Sequence, residues 1–295
     1  MSVNTQAGLA PVADAARPRR RFRGLGSRVV AALVFLPCFL IIAWRGDVYF
    51  VLMVNFISVA GTFEFLGMLE AKGLKPQRAA ALVAAFVLPW LAFWRGGIYM
   101  DFGLALLLVS VLCTELVRNT GQALAQISGA VFGVMYVAWL ASHLVSLREL
   151  PLQVGQAYGL GFRAVGLVFI TTWMADTGAY LVGSLCGRHK LAPRISPGKS
   201  VEGALGGLAV AIAAGAVYAH LCMRQEMSIG AGAWLGALAA VAGLAGDLAE
   251  SLMKRDAAVK DASGAIPGHG GALDRFDSVL FSAPLIYYAL RFVVL

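Results

Sequence analysis

Apolar residues run in long stretches along almost the whole chain, broken by short polar connections. The pattern marks stretches at about 29–44, 48–70, 79–95, 99–116, 127–147, 164–186, 201–222, 229–253 and 278–294. A helix of about 17–25 apolar residues crosses a ~30 Å hydrocarbon layer. Within lipid every backbone N–H and C=O must be satisfied inside the segment, which favours helices. The expectation is therefore an all-α, polytopic integral membrane protein with about nine transmembrane helices. Small residues crowd the stretches 203–216 and 230–246. Such stripes let helices approach closely, either within the chain or across a homodimer face.

Composition narrows the class further. Hydrophobic residues make up 59% of the 295 and charged residues 14%, against about 45–50% and about 25% in soluble domains. That excludes a water-soluble enzyme, a nucleic-acid-binding domain and a disordered chain. Cys38, Cys113, Cys186 and Cys222 lie far apart with no CxxC pair, so neither a disulfide framework nor a thiolate metal site is indicated.

Charge gives the orientation. Of the 24 lysines and arginines, eighteen fall in alternate connections: the N-terminal segment, 72–78, 118, 188–199 and 254–275. The other six are Arg45, Arg95, Arg148, Arg163, Arg224 and Arg291. By the positive-inside rule the N-terminus is expected in the cytoplasm. Residues 1–27 read as a basic cytoplasmic arm, serving as a topology signal or touching anionic headgroups. Residues 28–295 read as one membrane domain whose catalytic half is 164–295. The acids agree with that division, since nine of the sixteen lie after residue 160. The expected location is the inner (cytoplasmic) membrane, with the active site facing the cytoplasm.

Two segments carry the candidate chemistry. In residues 246–278, Asp247, Ser251 and Lys254 share one helix face. A loop with Pro267, Gly268, Gly270 and Gly271 then brings back His269, Asp274, Arg275 and Asp277. Carboxylates from different elements, without cysteine and with one histidine, favour a hard cation such as magnesium. Asp277 fits either that role or the N-cap of the last helix. Glu250 and Asp256 read as surface partners of Lys254 and Lys260, and Glu64 as a partner for a loop cation.

In residues 173–203, Asp176 sits inside a span, followed by Arg188, Lys190, Ser196, Arg194, Lys199 and Ser200. Cations beside a helix N-terminus make a phosphate cradle. The string Ser196-Pro197-Gly198-Lys199-Ser200 is not a Walker loop, because that motif needs a glycine where Pro193 stands. Acids for metal, surrounding cations and glycine-rich turns at a membrane surface indicate metal-dependent phosphate chemistry.

Ser251-x-Met253-Lys254-Arg255, Lys260-Asp261, Ile266-Pro267-x-His269-Gly270-Gly271 and Asp274-Arg275-Phe276-Asp277 closely resemble the signature of the phosphatidate cytidylyltransferase (CDP-diacylglycerol synthase) family. Asp176-Thr177-Gly178-Ala179-Tyr180 and Ser196-Pro197-Gly198-Lys199-Ser200-x-Glu202-Gly203 resemble its second block. Two positions depart from the pattern. Ala272 stands where a larger aliphatic residue is usual, and Arg188 where a lysine is usual. The resemblance implies CTP and phosphatidic acid as substrates, with the bilayer as partner. It implies magnesium on the acids matching Asp247 and Asp274, with a monovalent cation such as potassium beside it. On this reading Asp277 joins the metal ligands, while Lys254, Arg255, Lys260, His269 and Arg275 act on the phosphates. Asp176, Ser196, Lys199, Ser200 and Ser251 would line the substrates. A CTP-dependent lipid kinase and an ion transporter are the alternatives.

Overall fold

The computed structural model describes residues 36–95, 97–118, 121–259 and 271–295. The N-terminal arm and residues 260–270, Lys260, Asp261 and His269 among them, lie outside the described residues. Eleven helices follow one another among the described residues. In chain order they are α1 (Leu36–Arg45), α2 (Asp47–Ala71), α3 (Arg78–Arg95), α4 (Gly97–Arg118), α5 (Ala123–Gly133) and α6 (Leu140–Arg148). They continue with α7 (Leu150–Val154), α8 (Gly159–Cys186), α9 (Val201–Cys222), α10 (Ile229–Asp256) and α11 (Leu273–Ala289). A π-helical segment, Val134–Trp139, joins α5 to α6 without a break. Another, Leu290–Val294, ends α11. Seven of the resulting rods are long and apolar enough to cross a membrane, while Leu36–Arg45 and Arg78–Trp94 are shorter apolar helices.

The helical class is thus as expected, while seven of the nine expected spans are long enough to cross among the described residues. Several boundaries move. The sixth stretch begins at Gly159 rather than 164, because Arg163 is accommodated by an ion pair to Glu226. The last begins at Leu273 rather than 278, which puts Asp274, Arg275 and Asp277 on a helix and not on a loop. A short antiparallel hairpin, β1 (Lys190–Ala192) and β2 (Ser196–Ser200), interrupts the all-helical pattern, with Lys190 opposite Ser200.

The core forms around α6, whose residues Ala141–Arg148 are all buried, against α2, α8 and α11. Small residues draw α8, α9 and α10 together. A methyl on Gly207 would stand 2.6 Å from the Ala175 carbonyl, and one on Gly236 2.2 Å from that of Ala211. The small-residue stripes are thus used for packing inside one chain.

Polar contacts gather at two ends of the bundle. At one, Arg148 donates to the Ala43 and Trp44 carbonyls, Tyr158 donates to Glu149, and Arg163 pairs with Glu226. At the other, Lys72 pairs with Asp256, Arg118 donates to the Lys75 carbonyl, and Arg255 to that of Ile195. Among the described residues, Arg148 and Arg163 of one charge group lie at the first end, and Lys72, Arg118 and Arg255 of the other at the second.

Candidate active site

The second end holds the predicted acids, on α8, α10 and α11. A cavity of about 530 Å³ opens between α8, α9 and α10. Asp176, Lys199, Ser200 and Asp247 line its polar part, and Leu205, Leu208, Val241 and Leu244 part of its apolar wall. Lys199 Nζ lies 2.7 Å from Asp247 Oδ2. Ser251, one turn further along α10, donates to Asp247 Oδ1 at 3.4 Å. Asp176 lies within electrostatic reach of Asp247, Asp277 and Lys199.

A second group sits between α10 and α11. Lys254 Nζ is 2.5 Å from Asp274 Oδ1 and 3.2 Å from Glu250 Oε2. Asp274 Oδ2 accepts from the Gly271 N–H at 3.0 Å. Glu250 also lies within electrostatic reach of Asp274 and Asp277. The helices can meet here because Gly246 has no side chain: a Cβ there would stand 2.5 Å from the Asp277 carbonyl.

Several expectations need correction. Glu250 does pair with Lys254, but it is buried, not a surface residue. Its place was legible in the spacing, since residues 247, 250 and 254 share one helical face. Asp256 pairs with Lys72. Asp277 is not the N-cap of the last helix; it lies beyond the first turn, with Oδ1 2.6 Å from the Ser278 nitrogen. Glu64 is bound to backbone N–H groups of Ala272 and Leu273. Ser200 caps α9, its Oγ accepting from Gly203 N–H, while also lining the cavity. Ser196 lies in β2 opposite Ala192, and is not among the cavity-lining residues. Arg255 and Arg275 are exposed at this end. Lys260 and His269 lie outside the described residues.

Tyr136 was missed by sequence reasoning altogether. It comes from the π-helical segment, within electrostatic reach of Glu250, Asp277, Asp247 and Asp274. Its buried hydroxyl has no hydrogen-bond partner among the described residues. Such π-helical insertions recur at functional sites.

Among the described residues no three His, Cys, Asp or Glu side chains converge as a ready-made metal cage. The donors nonetheless suit a hard divalent ion. Five carboxyls (Asp176, Asp247, Glu250, Asp274 and Asp277) share this end, and Lys199 and Lys254 form ion pairs with three of them. Magnesium needs only one or two carboxylates when substrate phosphates and water complete its shell.

Comparison with known proteins bears on the chemistry. A cytidylyltransferase family model matches residues 26–293. A phosphatidate cytidylyltransferase of Synechocystis sp. is 34% identical over 288 residues, covering 91% of this chain and 96% of the relative. One from Bacillus subtilis is 34% identical over 267 residues, covering 89% and 94%. One from Staphylococcus epidermidis is 32% identical over 265 residues, covering 88% and 94%.

Proposed function

The chain belongs to the cytidylyltransferase family, and from that premise we propose that it transfers the cytidylyl group of CTP to phosphatidic acid. The products are CDP-diacylglycerol and pyrophosphate. The observation that carries this reading is the cavity in which Asp176, Lys199 and Asp247 adjoin an apolar wall. One part can hold phosphates, and the other the apolar portion of a lipid.

A lipid phosphate oxygen forms the new bond to the α-phosphorus of CTP while the bond to the β-phosphate oxygen breaks on the opposite side. The attacking phosphate monoester is already ionised near neutral pH, so no strong base is required. Lys199 and Lys254 are placed to offset charge on the attacking and leaving phosphates, with Arg255 and Arg275 at the exposed rim. Lys260 and His269 are assigned supporting contacts to phosphate from the motif alone. Asp247 and Asp277, with Asp274 behind them, would hold magnesium, with a monovalent cation beside it. Magnesium would supply charge neutralisation on the triphosphate. Asp274 already engages both oxygens, with Lys254 and the Gly271 N–H, so its first task is to orient Lys254. The excess of cations in the connections at this end supports a site that faces the cytoplasm at the inner membrane.

The test is to incubate the purified protein with CTP, phosphatidic acid and magnesium. Pyrophosphate and a cytidine-bearing lipid are expected in equal amounts. Label from the γ-phosphate appearing on lipid would indicate a kinase instead and overturn the reading.

A further inference from the structure

Among the described residues none before Thr172 lines the cavity, yet Glu64 of α2 reaches the helix that carries Asp274 and Asp277. Its carboxylate is buried. Oε1 accepts from Ala272 N–H and Oε2 from Leu273 N–H, both at 2.9 Å. The residue at the N-cap of α11, Ala272, offers no side-chain cap of its own. The first N–H groups of a helix have no partner within it, and negative charge is favoured there. A carboxylate in a membrane-spanning helix is costly unless something satisfies it. Glu64 and the start of α11 therefore answer each other's needs across 208 residues of sequence.

The fit is close. A Cβ on Gly271 would stand 2.6 Å from Glu64 Oε2, so the glycine leaves room for the carboxylate. The neighbouring Gly271 N–H goes to Asp274. Three successive N–H groups are thus held by two carboxylates, one from α2 and one from the site itself. At the end of α2, Lys72 pairs with Asp256 at the end of α10. This exposed pair adds little energy, but it ties the same region of α2 to the other helix bearing site acids.

We infer that Glu64 is a positioning residue: by gripping the backbone of the first turn of α11, it fixes where Asp274 meets Lys254 and where Asp277 stands against α10. The inference rests on the proposed reading of these acids as the reacting end. It gives the N-terminal half a share in the chemistry without contact with substrate.

The experiment uses the full-length protein in detergent, comparing Glu64→Gln and Gly271→Ala with the unaltered chain. Glutamine keeps the volume but offers one acceptor oxygen for two N–H groups. Gly271→Ala displaces the same carboxylate from the other side, and serves if Glu64→Gln fails to fold. Two readouts are taken. Hydrogen exchange at the amides of Ala272 and Leu273 should quicken roughly fivefold or more in either variant, as expected for a lost hydrogen bond. The rate of cytidine-lipid formation per folded molecule should fall about 10–100-fold, the usual effect of losing a group that orients site residues. The loss should appear in kcat rather than in KM for CTP. A merely structural role would lower the folded yield and leave the rate per folded molecule intact, which overturns the inference. Unchanged amide exchange overturns it as well. If the unaltered protein makes no cytidine-bearing lipid, the functional reading falls, while the exchange measurement still decides whether Glu64 holds α11.

Discussion

Lys199 and Asp247 meet at 2.7 Å, joining the hairpin before α9 to a carboxylate on α10. The pair stands at the polar part of the cavity, partly exposed on both sides. It links the two segments that the sequence marks separately for phosphate and for metal. A lysine held on an acid beside a cavity is well placed to transfer its attraction to an incoming phosphate. The acid is then left to a cation.

Asp247→Asn should therefore remove turnover almost entirely while the protein still inserts and folds. Lys199→Ala should lower it by about 10²-fold, the scale of losing one group that stabilises transition-state charge. Magnesium titrations of cytidine-lipid formation, normalised to folded protein, check both. Near-normal turnover in Asp247→Asn would remove that residue from the metal assignment.

Glu250 is the buried acid that shares Lys254 with Asp274. Glu250→Gln keeps the shape and removes the carboxyl group. Because the contacts are buried and involve charged partners, a loss of about 1.5–3 kcal/mol in stability is expected. Activity should fall too, since Lys254 loses one of its two acidic partners. Thermal unfolding in detergent, run beside the turnover assay, checks the two effects separately. An unchanged melting temperature would show that the contacts are not stabilising.

The helices were legible because hydrophobic length and alternating basic connections are strong local signals. Their starts at Gly159 and Leu273 were not, because charged residues usually mark the end of a span. Arg163 and Asp274 stay within helices because Glu226 and Lys254 satisfy them from elsewhere in the chain. The hairpin was hidden because Pro197-Gly198 reads as a loop. The motif spacing singled out Asp247, Lys254 and Asp274, which the fold gathers at one end of the bundle. The hold of Glu64 on the start of α11 was not legible, because these partners are backbone groups more than 200 residues away, which no local spacing records.

At the opposite end, burial raises the pKa of Glu149 above its usual 4.5, opposed by the Tyr158 hydrogen bond and the charge of Arg148. The sign follows from linkage. A carboxyl with a raised pKa binds its proton more tightly when folded than when unfolded. Its contribution to stability is thus fully present below the ordinary carboxylate range and is lost as pH rises through the raised value. Glu149→Gln, which cannot ionise, should gain on the unaltered protein over that window. Melting temperatures of both, measured from acid to neutral pH, should diverge upward. Parallel curves would rule the effect out.

Two glycines in membrane-spanning helices should respond in opposite directions to the same substitution. Gly236→Ala places a methyl 2.2 Å from the Ala211 carbonyl of the neighbouring helix, a contact with backbone that no rotamer change relieves. α9 and α10 must part, and the expected cost is about 1–3 kcal/mol, the range for overpacking a close-fitted interior. The shift would widen the wall beside the cavity, where Ala240 and Val241 lie one turn further along α10. Activity should therefore fall with stability. Gly67, inside α2, has nothing within 4 Å of the position a Cβ would take. There the gain is the unfolded-state entropy that alanine removes, about 0.4–1 kcal/mol. Melting temperatures of the two single variants and of their combination check this. The effects should add, since the altered sites touch different helices. A stabilised Gly236→Ala would mean that α9 and α10 are not held by backbone contact at this crossing.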